Sequence, residues 1–241
     1  MNREIGRIDV HAHLLPGVDD GSRSVAESVE LCRAMNQAGY THLFCTPHFW
    51  PGFPLVSPAF LRERVTALQA EMDRAGVPVT LLPGSELTLS LDLDTIAPGE
   101  LPTYMLAGRY VLFDFWDSEL PDEFWPWVKR LQSMKLTVVL AHPERIPAIQ
   151  NEPELLDQFN AAGMLLQANL QCLADQPGNI RRQLVERWLL EGRYYMLGSD
   201  MHRTEGLAPR LAGLARAEEL LGKEAVWKLT HTNPLKLMTI G

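Results

Sequence analysis

The chain has few cysteines and no long apolar run, and these two shortages exclude several classes of protein. Only three cysteines occur in 241 residues, Cys32, Cys45 and Cys172, and they form neither a Cys-x-x-Cys pair nor a disulfide framework. No apolar stretch approaches the roughly 20 residues of a membrane-spanning helix, and the first residues lack the apolar core of a signal peptide. We therefore expect a cytoplasmic protein without direct membrane insertion.

Positive charge is scarce as well. The chain has 22 Lys and Arg against 30 Asp and Glu, a formal net charge of −8, and no run of basic residues. Nucleic-acid binders usually carry a basic patch or stripe, so we expect no nucleic-acid partner. The excess of carboxylates suits a site that binds several cations. No Gly/Ser-rich or charge-rich linker divides the chain, and we predict a single domain over residues 1–241.

Short apolar runs alternate with amphipathic helical stretches along the whole chain. Seven runs are predicted as strands: Arg7–His11, His42–Thr46, Val79–Gly84, Tyr110–Phe115, Thr137–Ala141, Leu165–Asn169 and Tyr195–Ser199. Several are apolar throughout, which is typical of strands that are covered on both faces. The alternation predicts parallel strands with right-handed crossovers, in either an open sheet or a closed barrel.

Side chains that can bind metal follow almost every predicted strand. They are His11 and His13, His48, Glu86, Asp114, His142, and Asp200 with His202. In a (β/α) barrel the carboxyl ends of all strands meet at one mouth, where active sites are built. An open sheet would spread the same residues along a row, so their distribution favours the barrel.

The spacing of these residues predicts how they meet. Residues i and i+2 of a strand point the same way, so His11 and His13 can present two imidazoles to one ion. Asp200 and His202 repeat this spacing on the last strand, and four ligands would meet if the first and last strands are neighbours. Glu86 would then bridge this ion to a second one. Mixed nitrogen and carboxylate ligands suit zinc, manganese or iron.

Each residue also has an ordinary structural explanation. A lone His48 or His142 is more often structural than a ligand, and Asp114, between two phenylalanines, could be a hydrogen-bonded core carboxylate. The coincidence is what argues for metal, because five of the seven histidines fall at strand ends together with complementary acids. Carboxylates crowded into one mouth would raise one another's pKa values, a cost that cations remove. His42 and His231 do not share this placement, and we interpret them as structural.

Aromatic residues cluster beside two of the candidate ligands. Phe49, Trp50 and Phe53 follow the second strand, and Trp116 follows the fourth. They could line a groove that stacks on an aromatic substrate, or they could simply pack against the barrel. The sequence leaves both possibilities open.

Five segments together resemble one known family. They are Ile8-Asp-Val-His-Ala-His-Leu-Leu-Pro-Gly-Val-Asp-Asp-Gly21, Thr46-Pro-His48, Pro83-Gly-Ser-Glu86, Ala141-His-Pro-Glu-Arg145 and Gly198-Ser-Asp-Met-His202. They resemble the polymerase and histidinol phosphatase (PHP) superfamily, and within it the PHP-type tyrosine-protein phosphatases of bacterial capsule and exopolysaccharide biosynthesis. The motifs occur in the same order as in that family, and the C-terminal segment through Asn233-Pro234 resembles it as well.

The resemblance implies a distorted (β/α)7 TIM-like barrel of the PHP type, an α/β fold, with two or three divalent ions. Manganese is the expected metal, with iron, zinc or cobalt as alternatives. The implied ligand sets are His11, His13, Glu86 and Asp200 for one ion, Glu86, Asp114 and His142 for a second, and Asp20, His48 and His202 for a third. Asp19 could replace Asp20.

The implied reaction is hydrolysis of a phosphotyrosine protein by metal-activated water. The substrate would be a bacterial tyrosine kinase, bound through its tail. Arg145 would bind the phosphate, and His48, His142 or Glu144 could protonate the leaving group. Open alternatives are a PHP phosphatase for a small monoester such as histidinol phosphate or a sugar or nucleotide phosphate, an amidohydrolase, and a non-catalytic regulatory protein. The number of subunits stays open.

The chain departs from the family pattern at two positions. Phe49 stands where a second histidine often follows Thr-Pro-His, and Asp114 stands where glutamate is common. We expect the shorter Asp114 side chain still to bind metal, with an altered preference among metals.

Overall fold

The computed structural model describes residues 5–50, 56–89, 92–97 and 99–239. Nine strand segments lie in these ranges: β1 Arg7–Asp9, β2 Tyr40–Cys45, β3 His48–Phe49, β4 Thr80–Pro83, β5 Glu86–Thr88, β6 Tyr110–Asp114, β7 Thr137–Ala141, β8 Leu165–Asn169 and β9 Met196–Gly198. All of their pairings are parallel, as the alternation of strands with helices predicted.

The helices of the same ranges mostly follow the strands in the chain. The α-helices are α1 Val25–Gln37, α2 Pro58–Arg74, α3 Phe124–Ser133, α4 Pro147–Asn151, α5 Leu155–Ala161, α6 Leu170–Leu173, α7 Ile180–Leu190, α8 Leu207–Leu221 and α9 Lys223–Trp227. Short 3-10 helices span Leu93–Thr95, Tyr104–Leu106, Pro143–Arg145, Thr204–Gly206 and Pro234–Met238, and a π-helix spans Lys228–Thr232. None of the described helices has the length and apolar character needed to cross a membrane.

The hydrogen bonds between strands run round a ring. β1 pairs with β2 and β2 with β4, while β3 pairs with β5, followed in turn by β6, β7, β8 and β9. Because β2 continues into β3 and β4 into β5 after short breaks, the nine segments make seven strands. The ring closes where Ala12 forms a parallel bridge with Met201 and the Asp200 N–H donates to the His11 carbonyl at 2.7 Å. The fold is therefore a distorted parallel barrel, as predicted.

Side chains along the strands alternate between two apolar layers. One cluster lies inside the barrel and contains Ile8, Val10, Phe44, Leu82, Leu112, Val139 and Met196. Intervening residues such as Leu43, Phe113 and Leu140 belong to a larger cluster between the strands and the helices. This alternation is that of a closed barrel whose interior is packed by side chains. The packed interior leaves the polar residues to gather at the mouth.

The strand predictions are confirmed in position and corrected at some ends. Thr137–Ala141 and Leu165–Asn169 match β7 and β8, but the predicted Arg7–His11 ends at Asp9. Beyond that residue the chain bonds to both neighbours, because the Ala12 carbonyl accepts the Thr46 N–H at 2.8 Å and His13 donates its N–H to the Met201 carbonyl at 2.7 Å. The two-residue β3 and the three-residue β5 were not predicted, since such short segments carry no periodic pattern.

Candidate metal centre

All nine predicted metal-binding residues meet at the mouth formed by the carboxyl ends of the strands. Their possible ligand atoms fall into four overlapping groups, and within each group all atoms lie within 4.8 Å of one another. The groups are His13, Asp20, His48 and His202; His11, His142 and Asp200; His11, His13 and Glu86; and Glu86, Asp114 and His142. Every predicted ligand belongs to at least one group.

His11 and His13 face each other at the centre, with their Nε2 atoms 3.1 Å apart. Nδ1 of His11 lies 2.9 Å from Gln167 Oε1, and Nδ1 of His13 lies 2.7 Å from Asp19 Oδ2. Because both partners are acceptors, we assign the proton of each neutral ring to Nδ1. The two Nε2 lone pairs then point into one space, which is the arrangement that a shared cation requires.

Two buried carboxylates border the same space. Glu86 Oε2 lies 3.2 Å from His11 Nε2 and 3.4 Å from His13 Nε2, and Asp200 Oδ1 lies 3.4 Å from both nitrogens. Glu86 Oε1 lies 3.0 Å from His142 Nε2, so this one side chain contacts two ligand groups. Burial acts against ionisation of Glu86, yet the nearby His11 and His48 hold its pKa well below the usual range. Glu86 therefore lies between the two groups, where a ligand shared by two ions would be needed.

Asp114 and His142 lie on the other side of Glu86. Asp114 Oδ2 accepts a hydrogen bond from Trp116 Nε1 at 2.5 Å, whereas Asp114 Oδ1 and His142 Nδ1 are buried with no hydrogen-bond partner among the described residues. Burial raises the pKa of Asp114 to about 8 and lowers that of His142 to about 4. Buried polar atoms without partners are costly, and a cation would satisfy such atoms.

His142 and Asp200 adopt the left-handed backbone region, with φ of 34° and 51°. This conformation costs a side-chain-bearing residue about 1–3 kcal/mol and concentrates at functional sites. Hydrogen bonds to residues distant in the chain hold it, because the His142 N–H donates to the Gln167 carbonyl at 2.8 Å and the Asp200 N–H to the His11 carbonyl at 2.7 Å. Because of this conformation both side chains leave the regular strand direction and point into the mouth.

The structure separates the roles of Asp19 and Asp20. Asp20 Oδ1 lies 3.4 Å from Nε2 of both His48 and His202. Asp19 is turned inward, where its carboxylate contacts His13 Nδ1 and accepts the N–H of His48 at 3.0 Å. Asp20 thus faces the third group, and Asp19 orients His13.

His202 contacts residues of two ligand groups. It shares one group with His13, Asp20 and His48, and its ring stacks on that of His13 with centroids 4.0 Å apart. Its Nδ1 also lies 3.4 Å from Asp200 Oδ1.

Arg145 stands at the edge of the mouth. Its Nη1 forms an ion pair with Asp200 Oδ2, and the same oxygen accepts a hydrogen bond from Asn169 Nδ2 at 2.9 Å. The guanidinium carbon lies 5.0 Å from the centre of the Trp116 ring. The side chain is 27% exposed, so a ligand can reach the guanidinium beside the possible metal ligands.

The aromatic residues divide into open and buried ones. Trp116 is 43% exposed, and the half-buried Trp50 stacks on the His48 ring with centroids 4.4 Å apart. Phe49 is only 4% exposed and packs in the hydrophobic core. We withdraw Phe49 from the predicted substrate groove, because a ring without open surface cannot stack on a ligand. Phe53 lies outside the described residues.

Residues that hold the ligands in place were missed by the sequence reasoning. The buried Asp9 accepts hydrogen bonds from Ser199 Oγ at 2.5 Å and Ser199 N at 2.9 Å, which ties the first strand to the last. The buried Arg210 donates to the Ser199 carbonyl at 2.7 Å and to the Asp200 carbonyl. Arg210 carries no sequence signal, since it lies within an ordinary helix, whereas a charged Asp9 inside an apolar strand could have been noticed.

Glu144 has a structural place. It is fully buried, and its oxygens accept hydrogen bonds from Asn169 N and Tyr194 Oη, both at 2.7 Å. Burial raises the pKa of Glu144 to about 7. Because both oxygens are already engaged, we drop the prediction that this acid protonates a leaving group.

A family model for capsular polysaccharide synthesis proteins, CpsB/CapC, matches residues 7–239. The chain belongs to this family. Among its relatives, tyrosine-protein phosphatase YwqE of Bacillus subtilis (strain 168) is 28% identical over 232 residues, covering 95% of this chain and 91% of YwqE. A putative tyrosine-protein phosphatase CapC of Staphylococcus aureus is 27% identical over 199 residues, covering 81% and 76% of the two chains.

A solved structure of the CpsB/CapC family has the same fold. It comes from crystal structures of YwqE from Bacillus subtilis and CpsB from Streptococcus pneumoniae, described as unique metal-dependent tyrosine phosphatases. The TM-score is 0.87 at 28% identity, and the match covers 97% of this chain and 96% of the other. The resemblance found in the motifs is thus confirmed for the family and for the fold.

Proposed function

We propose that this CpsB/CapC chain is a metal-dependent phosphomonoester hydrolase that removes phosphate from tyrosine in proteins. One observation carries the proposal: nine His, Asp and Glu side chains from distant strand ends form overlapping ligand groups beside the partly exposed Arg145. Relatives that cover nearly the whole chain are named tyrosine-protein phosphatases, which supports the same activity.

The donor set fits two or three divalent ions. Imidazole nitrogens and carboxylate oxygens are mixed in each group, and such mixtures suit manganese, iron, cobalt or zinc better than calcium. The unpartnered Asp114 Oδ1 and His142 Nδ1 among the described atoms fit the same reading. We propose manganese as the native metal.

Divalent ions, when bound, supply Lewis acidity and make water nucleophilic near neutral pH. The protein's own part is positioning. Asp19 and Gln167 keep the protons of His13 and His11 on Nδ1, so both Nε2 atoms stay available as ligands. Arg145 binds the phosphate oxygens through its planar fork and stabilises the charge that develops there.

The leaving group needs little help from the protein. A tyrosyl phenolate is a good leaving group, so protonation by His48 or His142 assists the reaction without being essential. Trp50 and Trp116 border the mouth, and we propose that they contact the substrate's phenyl ring. As the natural substrate we propose the phosphotyrosine-containing tail of a membrane tyrosine kinase of capsule synthesis, which this protein dephosphorylates in the cytoplasm.

A substrate comparison tests this function. We expect kcat/KM to be higher for a phosphotyrosyl peptide than for histidinol phosphate or a sugar phosphate, and we expect chelation to abolish both activities. Added Mn²⁺ should restore them. Activity that survives complete removal of metal would contradict the proposal, and a preference for histidinol phosphate would favour the small-monoester alternative.

A cysteine substitution tests the nature of the nucleophile. Burial raises the pKa values of all three thiols, that of Cys32 to about 12, and reactive cysteines need the opposite shift. We therefore expect Cys45→Ala to keep kcat/KM within about twofold of the parent, measured with p-nitrophenyl phosphate. Loss of activity in a variant with unchanged circular dichroism would show that the thiol takes part.

A further inference from the structure

Trp116 contacts three parts of the mouth at once. Its indole Nε1 donates to Asp114 Oδ2 at 2.5 Å, its ring lies 5.0 Å from the Arg145 guanidinium carbon, and its centroid lies 5.6 Å from that of His142. It is nevertheless 43% exposed.

We propose that Trp116 is a positioning residue that couples the Asp114 metal site to phosphate binding by Arg145. Its N–H orients the Asp114 carboxylate, and its ring face orients the guanidinium. The phosphate part of this inference rests on the proposed function, whereas the metal part rests only on the ligand group of Glu86, Asp114 and His142.

The carboxylate geometry supports the first half of the inference. Asp114 Oδ2 is taken by the indole N–H, while Oδ1 has no partner among the described atoms. The terminal torsion of aspartate is broad, so without the indole the carboxylate would turn more freely. The hydrogen bond therefore leaves Oδ1 as the free ligand atom. It also restrains a side chain that is one methylene shorter than glutamate.

The arginine geometry supports the second half. The guanidinium carbon lies over the indole face, 5.0 Å from its centre, and cation–π attraction at such a distance restrains the side chain. Arg145 Nη1 contacts Asp200, so the restrained arginine already points into the metal-binding mouth. A phosphate bound there would contact a guanidinium held in one orientation, because the Trp116 ring limits rotation of the arginine side chain.

Two substitutions separate these contacts. Trp116→Phe keeps an aromatic face and removes the N–H donor, whereas Trp116→Leu removes both. Trp227→Phe is the control, because Trp227 is 41% exposed and stacks on His231 instead. Mn²⁺ binding to the chelated proteins is measured by calorimetry. The inhibition constant of inorganic phosphate is measured at saturating Mn²⁺.

For Trp116→Phe we expect one step of the Mn²⁺ titration to weaken by about tenfold, the usual size for loss of a hydrogen bond to a ligand. Its phosphate inhibition constant should stay within about twofold of the parent. Trp116→Leu should show the same loss of Mn²⁺ affinity and, in addition, a phosphate inhibition constant about threefold higher. Trp227→Phe should match the parent in both measurements.

Several results would overturn the inference. They are parental Mn²⁺ binding in Trp116→Phe, equal weakening of phosphate binding in both Trp116 variants, or a lower Tm of the chelated variants, which would show a merely structural role. Calorimetry does not need turnover. If the parent fails to hydrolyse phosphotyrosine, the proposed function falls while the role of Trp116 at the metal site is still tested.

Discussion

The two halves of the candidate metal site differ in how firmly side-chain hydrogen bonds fix their members. The first half, called here the braced half, consists of His11, His13 and Asp200. Side-chain partners fix each member: Gln167 contacts His11, Asp19 contacts His13, and Asn169 and Arg145 contact Asp200.

The second half, called here the open half, consists of Asp114 and His142. Trp116 supplies one hydrogen bond to it, and two of its buried atoms have no partner within the described ranges. Fully hydrogen-bonded polar groups are rigid, while partly satisfied ones depend on a further partner. The braced half is therefore positioned by the protein's own hydrogen bonds, whereas the geometry of the open half depends more on the ion that we propose for it.

Neutralising one carboxylate in each half gives the largest predicted effect and tests the difference directly. Asp200→Asn should lower kcat/KM by about 1,000-fold, because metal stabilisation contributes several kcal/mol and each 1.4 kcal/mol is tenfold. Asp114→Asn should cost about 10- to 100-fold, because Asp200 also forms the ion pair with Arg145, whereas Asp114 is held by the indole of Trp116. Both are measured with p-nitrophenyl phosphate at saturating Mn²⁺. Equal losses would remove the distinction between the halves.

Removing a support of the braced half should have an intermediate effect. Gln167→Leu deletes the acceptor at His11 Nδ1, so the ring can take the wrong tautomer or rotate. We expect Mn²⁺ affinity to fall by about 10- to 100-fold, measured by calorimetry. The exposed Gln183→Leu in α7 is the control and should bind as the parent does. Unchanged affinity in Gln167→Leu would mean that the braced half does not need this support.

The smallest predicted effect concerns the rim. Trp50 stacks on His48 at the rim. Contact of its ring with the substrate's phenyl ring would contribute about 0.5–1.5 kcal/mol to binding, the usual size for an aromatic pair. Trp50→Ala should therefore raise KM for a phosphotyrosyl peptide by about two- to tenfold and change KM for p-nitrophenyl phosphate less. Steady-state kinetics with both substrates measure the difference. The same increase for both substrates would exclude a role for Trp50 in docking the peptide.

Local patterns were enough to predict the barrel and eight of the nine candidate ligands, whereas Asp20, with Asp19 as its alternative, was implied by the family resemblance. Apolar runs mark strands covered on both faces, and candidate ligands such as His11, His142 and Asp200 follow those runs directly in the chain. Both signals involve neighbouring residues, so they can be read without knowing which strands meet. The motif order added the family, which the match over residues 7–239 confirms.

Only the tertiary structure decided which side chains support the ligands and which face the mouth. Gln167 meets His11 across 156 positions, and Ser199 meets Asp9 across 190, distances at which no periodic pattern connects two residues. The separate places of Asp19 and Asp20, and the burial of Phe49, likewise depend on local backbone and packing. The sequence alone determines which functional groups stand at each strand end. The closure of the barrel decides which of those groups contact one another, because contact between distant residues exists only after the chain is folded.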